Sequence, residues 1–308
     1  MSVRYSLFTV LICTSFLVGC TSKSNPCSAN EQSTWDQITG QNGDEKGDLK
    51  LLACLLGAVG AGSGFPAGVS TENLQGMYQF EADLADSSGN GRTGTMNGTL
   101  TYTTSIVAGR NSTQSVGPFT DANFITFPAS AYPLDGDYTI GMFIKGPASM
   151  PGANTQQHLI MKFGQGQTDN DNTCHGAAYE LKFGVAVNGA NTAGAAYFQI
   201  GASPADWDTK QIFSDTLSPT AVPNVYDGNV HFIAIRISGT TMKMWVDGNT
   251  GTTSYSATRI ASTASDVTVG KCAQFGNHAF PGTVDELYIF NRALSDAEVE
   301  SIRASYTY

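Results

Sequence analysis

Residues 282–299 read GTVDELYIFNRALSDAEV and contain two elements in succession. The first half, Val284 to Phe290, is rich in β-branched and aromatic residues, which predicts a strand. In the second half, Ser295 and Glu298 have the spacing of a capping box, the pattern that starts a helix. The apolar residues that follow share one helical face, so we expect a short helix that docks on a sheet and ends near Ser305.

Further strands are predicted upstream of these two elements. Asp247-Gly248 is a strong signal for a tight hairpin turn. Residues 230–237 are almost continuously apolar, which predicts a central strand covered on both faces. Short alternating or apolar runs predict the other strands, at residues 76–81, 123–127, 138–144, 158–163, 179–187, 195–200 and 242–246. Many short strands without helices between them predict an all-β fold, a two-sheet antiparallel sandwich.

The composition agrees with this fold class. Of the 308 residues, 41% are hydrophobic and 14% are charged, and 34 are Gly, so the good helix formers are scarce while turn formers are common. The formal net charge is −10 and the sequence has no cluster of Lys and Arg. A nucleic-acid partner is therefore not expected, because binding phosphates needs a basic patch.

The first 19 residues have the pattern of an export signal. Arg4 precedes an apolar run that is too short to span a bilayer comfortably. Residues 17–20 read LVGC and resemble the bacterial lipobox, which implies cleavage before Cys20 and acylation of its thiol; an ordinary signal peptide with a chance Cys is the alternative. Two or more acyl chains anchor a protein stably, so we expect an exported lipoprotein attached to the membrane. Thr21 is not Asp, and in the Gram-negative pattern this implies the outer membrane, hence a location in the cell envelope.

The rest of the chain is predicted to have two parts. Residues 20–73 form a spacer that starts at the lipidated Cys. Leu-rich spacing around residues 49–56 predicts short helices in it, closed by a disulfide, although a disordered tether with one amphipathic helix is the alternative. Residues 57–70 have the Gly-rich composition of a linker. Residues 74–308 form the large β domain.

Four cysteines remain after Cys13 leaves with the signal and Cys20 is lipidated. An even number in an oxidising compartment predicts disulfides, for which three pairings are possible. The preferred pairing is Cys27–Cys54 in the spacer and Cys174–Cys272 in the large domain, since each bridge then stays within one part. Zinc is the competing interpretation, but the sequence contains no CxxC motif and its four His are scattered.

Three stretches of the large domain resemble the LamG-like family of concanavalin A-like domains. Residues 282–299 are similar to the closing motif of that family. Phe80-Glu81 and the DSSGNG turn at residues 86–91 are similar to its opening strand and turn, and residues 227–248 resemble its central hairpin. The resemblance covers nearly all of residues 74–308. It implies a jelly-roll sandwich whose first and last strands are neighbours, with a short C-terminal helix.

The resemblance also implies a candidate metal site. Such domains often hold one Ca²⁺ near the edge where the first and last strands meet, and Asp86, Asn90 and Asp285 are the oxygen ligands that the sequence offers there. Ordinary turn chemistry is the alternative for the first two, because Asp and Asn side chains also cap turns through their own hydrogen bonds.

A candidate ligand-binding site lies at residues 206–208. Asp206 and Asp208 flank Trp207, and this combination suits a sugar ring that stacks on the Trp while its hydroxyls meet carboxylates. Packing of Trp207 on the sandwich is the alternative, and Trp245 is expected to pack in the core or on a sheet face. Residues 81–86 approach the E-x-D-x-x-E strand of jelly-roll glucanases but end in Asp86, so catalytic residues are not expected.

The expected function is that of a non-catalytic binding or adhesion module that recognises a glycan or glycoprotein from a lipid tether. Two other functions remain open, a glycoside hydrolase and a structural envelope lipoprotein without a soluble ligand. Fold resemblance alone does not decide between them. The sequence leaves the oligomeric state unknown.

Overall fold

The computed structural model describes residues 65–132, 136–149, 157–163, 177–183, 194–200, 210–222, 224–255, 266–272 and 279–308. At residues 163, 177–183 and 210 it describes the backbone alone. The predicted spacer helices, as well as Cys20, Cys27 and Cys54, lie outside the described residues. Residues 64–308 belong to one compact unit.

The regular secondary structure of the described residues is almost entirely β-strand, which confirms the predicted all-β class. The strands are β1 (Leu74–Tyr78), β2 (Thr95–Asn97), β3 (Tyr102–Thr104), β4 (Gln114–Val116), β5 (Phe124–Phe127), β6 (Tyr138–Lys145), β7 (Gln157–Phe163), β8 (Ala177–Phe183), β9 (Ala196–Ile200), β10 (Lys210–Phe213), β11 (Val230–Ser238), β12 (Thr241–Val246), β13 (Asn249–Ser254), β14 (Val267–Val269) and β15 (Thr283–Phe290). One α-helix, α1 (Asp296–Ala304), follows β15, and two short 3₁₀ turns lie at Ala129–Ala131 and Ser214–Thr216.

Two antiparallel sheets make up the sandwich. The first sheet has the order β13-β12-β11-β6-β15-β4-β3, and β1 also pairs with β15. The second sheet has the order β10-β9-β8-β7-β14-β5-β2. Some neighbours follow one another in sequence, as β11–β13 and β7–β10 do, whereas pairs such as β6–β15 and β7–β14 are distant in sequence. The chain therefore crosses between the layers, and the predicted jelly-roll sandwich is confirmed.

The first and last strands are neighbours, as the resemblance implies. Strand β1 runs antiparallel to β15, with Met77 opposite Tyr288 and Tyr78 opposite Leu287. The opening turn, at residues 86–91, contacts β1, where the Ser87 amide donates to the Met77 carbonyl over 2.8 Å.

A continuous apolar core fills the space between the sheets. Ile140, Ile235 and Leu287 reach it from the first sheet, while Phe127 and Phe198 reach it from the second, and all five are at most 2% exposed. Strand β11 is buried at six of its nine positions, which confirms the central strand predicted from its apolar run.

The closing helix forms as its capping box predicts. The Glu298 amide donates to the Ser295 hydroxyl over 3.2 Å, and the Ser295 amide donates to the Glu298 carboxylate over 2.9 Å. The helix ends at Ala304 with Ser305 as its cap, and its buried residues are Val299 and Ile302.

The predicted hairpin turn joins β12 to β13. Asp247 and Gly248 form the two-residue loop, with φ of 51° and 84°. Positive φ at both positions is what a turn between twisted strands requires, and Asp-Gly tolerates it.

Candidate functional site

The outer face of the first sheet is covered by apolar side chains. Val299 and Ile302 of α1, together with Phe65 from the segment before β1, pack on it. We call this surface the sealed face; its sheet residues are Phe143, Phe232, Trp245, Tyr288 and Phe290, all at most 3% exposed. Because the helix and the N-terminal segment occupy this surface, it is not available to a ligand.

Trp245 belongs to the sealed face, which is the sheet-face packing that the sequence left open for it. The Arg236 guanidinium and the Lys243 ammonium lie 5.0 and 4.8 Å from its ring centroid. Both cations also pair with Asp296 at the start of α1, at 2.8 and 2.6 Å. The Arg236 and Lys243 side chains therefore lie on the Trp245 ring while their charges bind the start of the helix at Asp296.

The outer face of the second sheet has a different character. Strand alternation and cross-strand register place on it one row of mostly uncharged polar residues, which we call the polar row: Gln211, Gln199, Met161, Thr268, Thr126 and Thr95. On β8, which lies between these strands, Glu180 is the residue paired with both Gln199 and Met161. The row crosses all seven strands, and the apolar residues between its members point into the core instead.

Aromatic rings join the polar row at its β9–β10 end. Gln211 donates from Nε2 to Oε1 of Gln199 over 2.8 Å. Beside this amide pair the rings of Tyr197 and Phe213 lie 5.7 Å apart, tilted by 36°. We call these four residues the amide–aromatic patch. Gln211 is exposed and Phe213 is half-buried, whereas Gln199 and Tyr197 are buried.

This patch combines hydrogen-bonding amides with flat apolar rings; in the register of the sheet, Glu180 and Lys182 of β8 lie opposite Gln199 and Tyr197. Such a surface suits a ligand that presents hydroxyl groups and an apolar ring face, because the amides can both donate and accept hydrogen bonds.

The predicted ligand-binding residues Asp206, Trp207 and Asp208 lie outside the described residues, so their role stays a prediction. In sequence they precede β10 by only a few residues, and β10 carries Gln211 and Phe213 of the patch. The amide–aromatic patch itself was missed by sequence reasoning. Alternation within residues 196–200 does place Tyr197 and Gln199 on one face, but their partners depend on pairing with β10, which local sequence does not show.

Two of the predicted calcium ligands take part in the opening turn. Asp86 accepts amide hydrogens from Met77 (3.1 Å), Ser88 (2.9 Å) and Arg92 (3.1 Å). Asn90 donates from Nδ2 to the Leu74 carbonyl over 2.8 Å. These contacts tie the turn to β1, as the turn-chemistry alternative expects.

The third predicted ligand, Asp285, lies in a separate buried cluster. Its Oδ2 accepts from the hydroxyls of Ser105 (2.8 Å) and Ser112 (3.4 Å), while its Oδ1 has no hydrogen-bond partner among the described residues. The next residue, Glu286, is also 0% exposed and adopts φ of 51° at a β-bulge between Asp285 and Tyr288. The bulge thus buries two consecutive carboxyl groups in one strand.

Burial sets the protonation of both carboxyl groups. Loss of hydration raises the pKa of Asp285 to about 8; the Ser105 hydrogen bond opposes this shift, and the negative charges of Glu286 and Glu81 add to it. Loss of hydration likewise raises the pKa of Glu286 to about 7, against hydrogen bonds from Tyr306 and Tyr288. Both groups therefore bind protons far more readily than ordinary carboxyls.

The three predicted calcium ligands, Asp86, Asn90 and Asp285, suit a calcium ion only in part. The free Oδ1 of Asp285 is the kind of hard oxygen that Ca²⁺ prefers. Asp86 and Asn90, however, are engaged by the backbone of their own turn, and the described residues contain no group of three His, Cys, Asp or Glu side chains arranged to hold a metal. The calcium site stays a prediction.

The carboxylate that begins the glucanase-like segment has a structural role. Glu81 accepts amide hydrogens from Thr113 (2.8 Å) and Gln114 (3.2 Å), and also bonds the Thr113 hydroxyl. Glu81 therefore fixes the start of β4. These contacts supply no observation in favour of a catalytic carboxylate pair.

Cys272 is fully buried and disulfide-bonded. The other cysteines lie outside the described residues, so the predicted pairings Cys27–Cys54 and Cys174–Cys272 stay predictions. Among the described residues, no helix has the length and apolar character needed to cross a membrane.

Comparisons with known proteins agree with the sandwich. A model of the "Concanavalin A-like lectin/glucanases superfamily" (Laminin_G_3) matches residues 119–300. No curated protein matches the chain by sequence.

Three solved structures are similar in fold. The binding domain of Paraclostridial Mosquitocidal Protein 1 has a TM-score of 0.55 at 13% identity, over 75% of this chain and 52% of that one. The binding domain of Botulinum neurotoxin serotype G has a TM-score of 0.54 at 14% identity, over 75% and 50%. Domain 4 of AbnA, a GH43 extracellular arabinanase from Geobacillus stearothermophilus solved with arabinotriose, has a TM-score of 0.50 at 17% identity, over 74% and 96%. The chain thus spans about half the length of the toxin domains, and these identities show a shared fold alone.

Proposed function

The chain belongs to the concanavalin A-like lectin/glucanase superfamily, and from this membership we propose that it is a non-catalytic module that binds a glycan or glycoprotein through the outer face of its second sheet. The observation that carries the proposal is the asymmetry of the sandwich. The sealed face is occupied by α1 and Phe65. On the opposite outer face the polar row ends at β10 in the amide–aromatic patch, where Gln211 is exposed and Phe213 is half-buried.

The chemistry of the patch indicates a neutral, hydroxyl-rich ligand. The exposed Gln211 amide supplies a donor and an acceptor and the half-buried Phe213 supplies ring surface, while the buried Gln199 and Tyr197 pack against them. The arabinanase domain that shares the fold was solved with arabinotriose, a neutral oligosaccharide, which supports this ligand class. Asp206, Trp207 and Asp208 lead into β10, and we propose that they extend the patch.

A glycan array with the full chain tests the proposal. We expect binding to neutral oligosaccharides, and we expect Gln211→Ala and Phe213→Ala each to weaken it at least several-fold. The matched control is Thr252→Ala in β13, an exposed residue of the first sheet, which should bind as the parent does. A blank array with a cooperatively folding protein would reject glycan binding and favour the structural envelope role, whereas sugar release from the array would favour the hydrolase.

We further propose that Cys20 attaches the module to the cell envelope, at the outer membrane in a host that has one. The support is the sequence at residues 17–20 after a short apolar segment. Cell fractionation of the full chain and of Cys20→Ala tests it. The parent should partition with membranes and the variant should not, and equal partitioning of both would contradict the anchor.

A further inference from the structure

His231, near the start of β11, lies between two carboxylates. Its Nδ1 is 2.6 Å from Oδ2 of Asp247, and its Nε2 is 3.0 Å from Oδ1 of Asp227. Asp247 belongs to the two-residue turn between β12 and β13, while Asp227 belongs to the turn that precedes β11. The imidazole is 6% exposed, so it joins the two turns in a place that water scarcely reaches.

The donor count decides the charge of this ring. Ionised carboxylates only accept hydrogen bonds, and a neutral imidazole has only one N–H to donate. Both contacts can therefore be hydrogen bonds only when His231 is an imidazolium that donates from both nitrogens. With both carboxylates ionised, two hydrogen bonds at these distances need a charged histidine between them.

We propose that His231 is a protonation-dependent latch, which holds the turn at residues 227–229 to the β12–β13 turn as an imidazolium and releases the former when it loses a proton. This device lies apart from the ligand surface of the second sheet and does not depend on it.

The two contacts differ in a way that tells which one opens. The Asp247 contact is shorter, and Asp247 is also held by the Phe232 amide, which donates to its Oδ1 over 2.8 Å. Asp227 has the more exposed side chain, 35% against 27%, and has its own partners in Asn229, whose amide donates to it over 2.8 Å. A neutral ring therefore keeps its proton toward Asp247 and turns a lone pair toward Asp227, which then moves to solvent.

The charges around the ring favour the imidazolium. Burial acts to lower the pKa of His231, but the hydrogen bonds and negative charges of Asp247 and Asp227 outweigh it, so the pKa is raised. The Tyr308 hydroxyl lies 3.3 Å from Asp247 Oδ1, and the Arg303 guanidinium lies behind Gly248, where it donates to the Tyr308 oxygen. The phenol is neutral and the guanidinium keeps its charge throughout the range in which a histidine titrates.

Nuclear magnetic resonance of the full chain tests the latch. With ¹⁵N-labelled histidine, we expect both ring nitrogens of His231 to be protonated at pH 7, and a His231→Asn variant assigns the signal. As the pH rises, the Asn229 backbone amide should shift with the same midpoint as the ring, because its bond to Asp227 changes when the turn is released. The Phe232 amide should shift less, since its bond to Asp247 persists.

Two variants sharpen the result. Asp227→Asn removes one charge while keeping the side-chain shape, and it should lower the midpoint of His231 by about one pH unit. Asp83→Asn, an exposed carboxylate in a different turn, should leave the midpoint unchanged. A neutral ring at pH 7, or an Asn229 amide that does not follow the ring, would overturn the proposal.

Discussion

The two outer faces of the sandwich are both formed by antiparallel strands, but one carries apolar side chains and the other carries mostly polar ones. On the first sheet, aromatic residues face outward and a helix with an N-terminal segment covers them. On the second sheet, Gln and Thr occupy the corresponding outward positions. Covered apolar residues stabilise the fold, whereas the exposed Gln211 amide at the end of the polar row adds little to stability and can exchange its contacts with water for contacts with a ligand.

This difference implies a division of labour between the sheets. The closing motif supplies β15 and α1, which together make and seal the first sheet. The second sheet is thereby the one whose outer face can change without loss of the core. Four experiments test this division. The first compares the two faces directly, and the other three probe the first sheet and the helix that covers it.

The largest effect is expected from truncating a ring of the sealed face. Phe143 is 0% exposed, and its ring centroid is 5.0 Å from that of Phe232 and 4.9 Å from that of Tyr306. Phe143→Ala should lower the free energy of unfolding by about 3–5 kcal/mol. On the other sheet, Gln211→Ala should stay within about 0.5 kcal/mol of the parent. Urea unfolding followed by fluorescence measures both, and equal effects would abolish the distinction between the faces.

The next effect is a pH dependence from the two carboxyls behind the sealed face. Their raised pKa values, about 8 for Asp285 and about 7 for Glu286, mean that the folded chain binds these protons more tightly than the unfolded chain does. The stability they contribute is complete below about pH 4 and is lost as the pH rises through 7 and 8. Each pH unit over which one carboxyl is protonated only in the folded state changes the free energy of unfolding by about 1.4 kcal/mol.

A Glu286→Gln variant isolates one of these protons. It should be more stable than the parent at pH 8 and similar to it at pH 4, when urea unfolding is measured in EDTA. Glu72→Gln, an exposed carboxylate, is the control and should follow the parent at both pH values. A parent that gains stability between pH 4 and pH 8 relative to Glu286→Gln would contradict the assignment.

A smaller effect is expected from metal removal. If a Ca²⁺ ion is bound with Asp285, Asp86 and Asn90 among its ligands, EDTA should lower the melting temperature by a few degrees, because a ligand bound only by the folded state stabilises it. Asp285→Asn should remove that response. An unchanged melting temperature of the parent in EDTA would remove the calcium site, and the buried carboxyls would then be satisfied by protons alone.

The smallest effect concerns the start of the helix that completes the sealed face. Ser295→Ala removes the hydroxyl that caps the Glu298 amide and should lower the free energy of unfolding by about 1 kcal/mol. Ser301→Ala in the middle of the same helix should have almost no effect, since Ala favours helix. Equal losses in urea unfolding would show that the cap is not what fixes the helix start.

The closing strand and helix could be predicted from sequence because their signals are local. The residues from 284 to 290 have strand composition, and the capping box gives the start of α1 to within one residue. Strands of three residues, such as β2 (Thr95–Asn97) and β14 (Val267–Val269), were missed. They are too short to show a period, and their position in the sheet depends on partners far away in sequence.

The buried carboxyl pair could not be predicted for a related reason. Strand alternation places only one of two adjacent residues on the inside, so Asp285 and Glu286 were not expected to be buried together. The bulge at Glu286 breaks that alternation, and its positive φ leaves no mark in the sequence. The amide–aromatic patch likewise joins two strands whose register is set by the whole sheet.

Chemical-shift mapping with a glycan selected on the array tests most directly whether the outer face of the second sheet binds the ligand. Titration into the ¹⁵N-labelled full chain should shift the backbone amides of β9 and β10, Gln199 and Gln211 among them, and leave those of β11, β12 and α1 in place. Shifts confined to α1 and the strands beneath it would place the ligand on the first sheet and contradict the account.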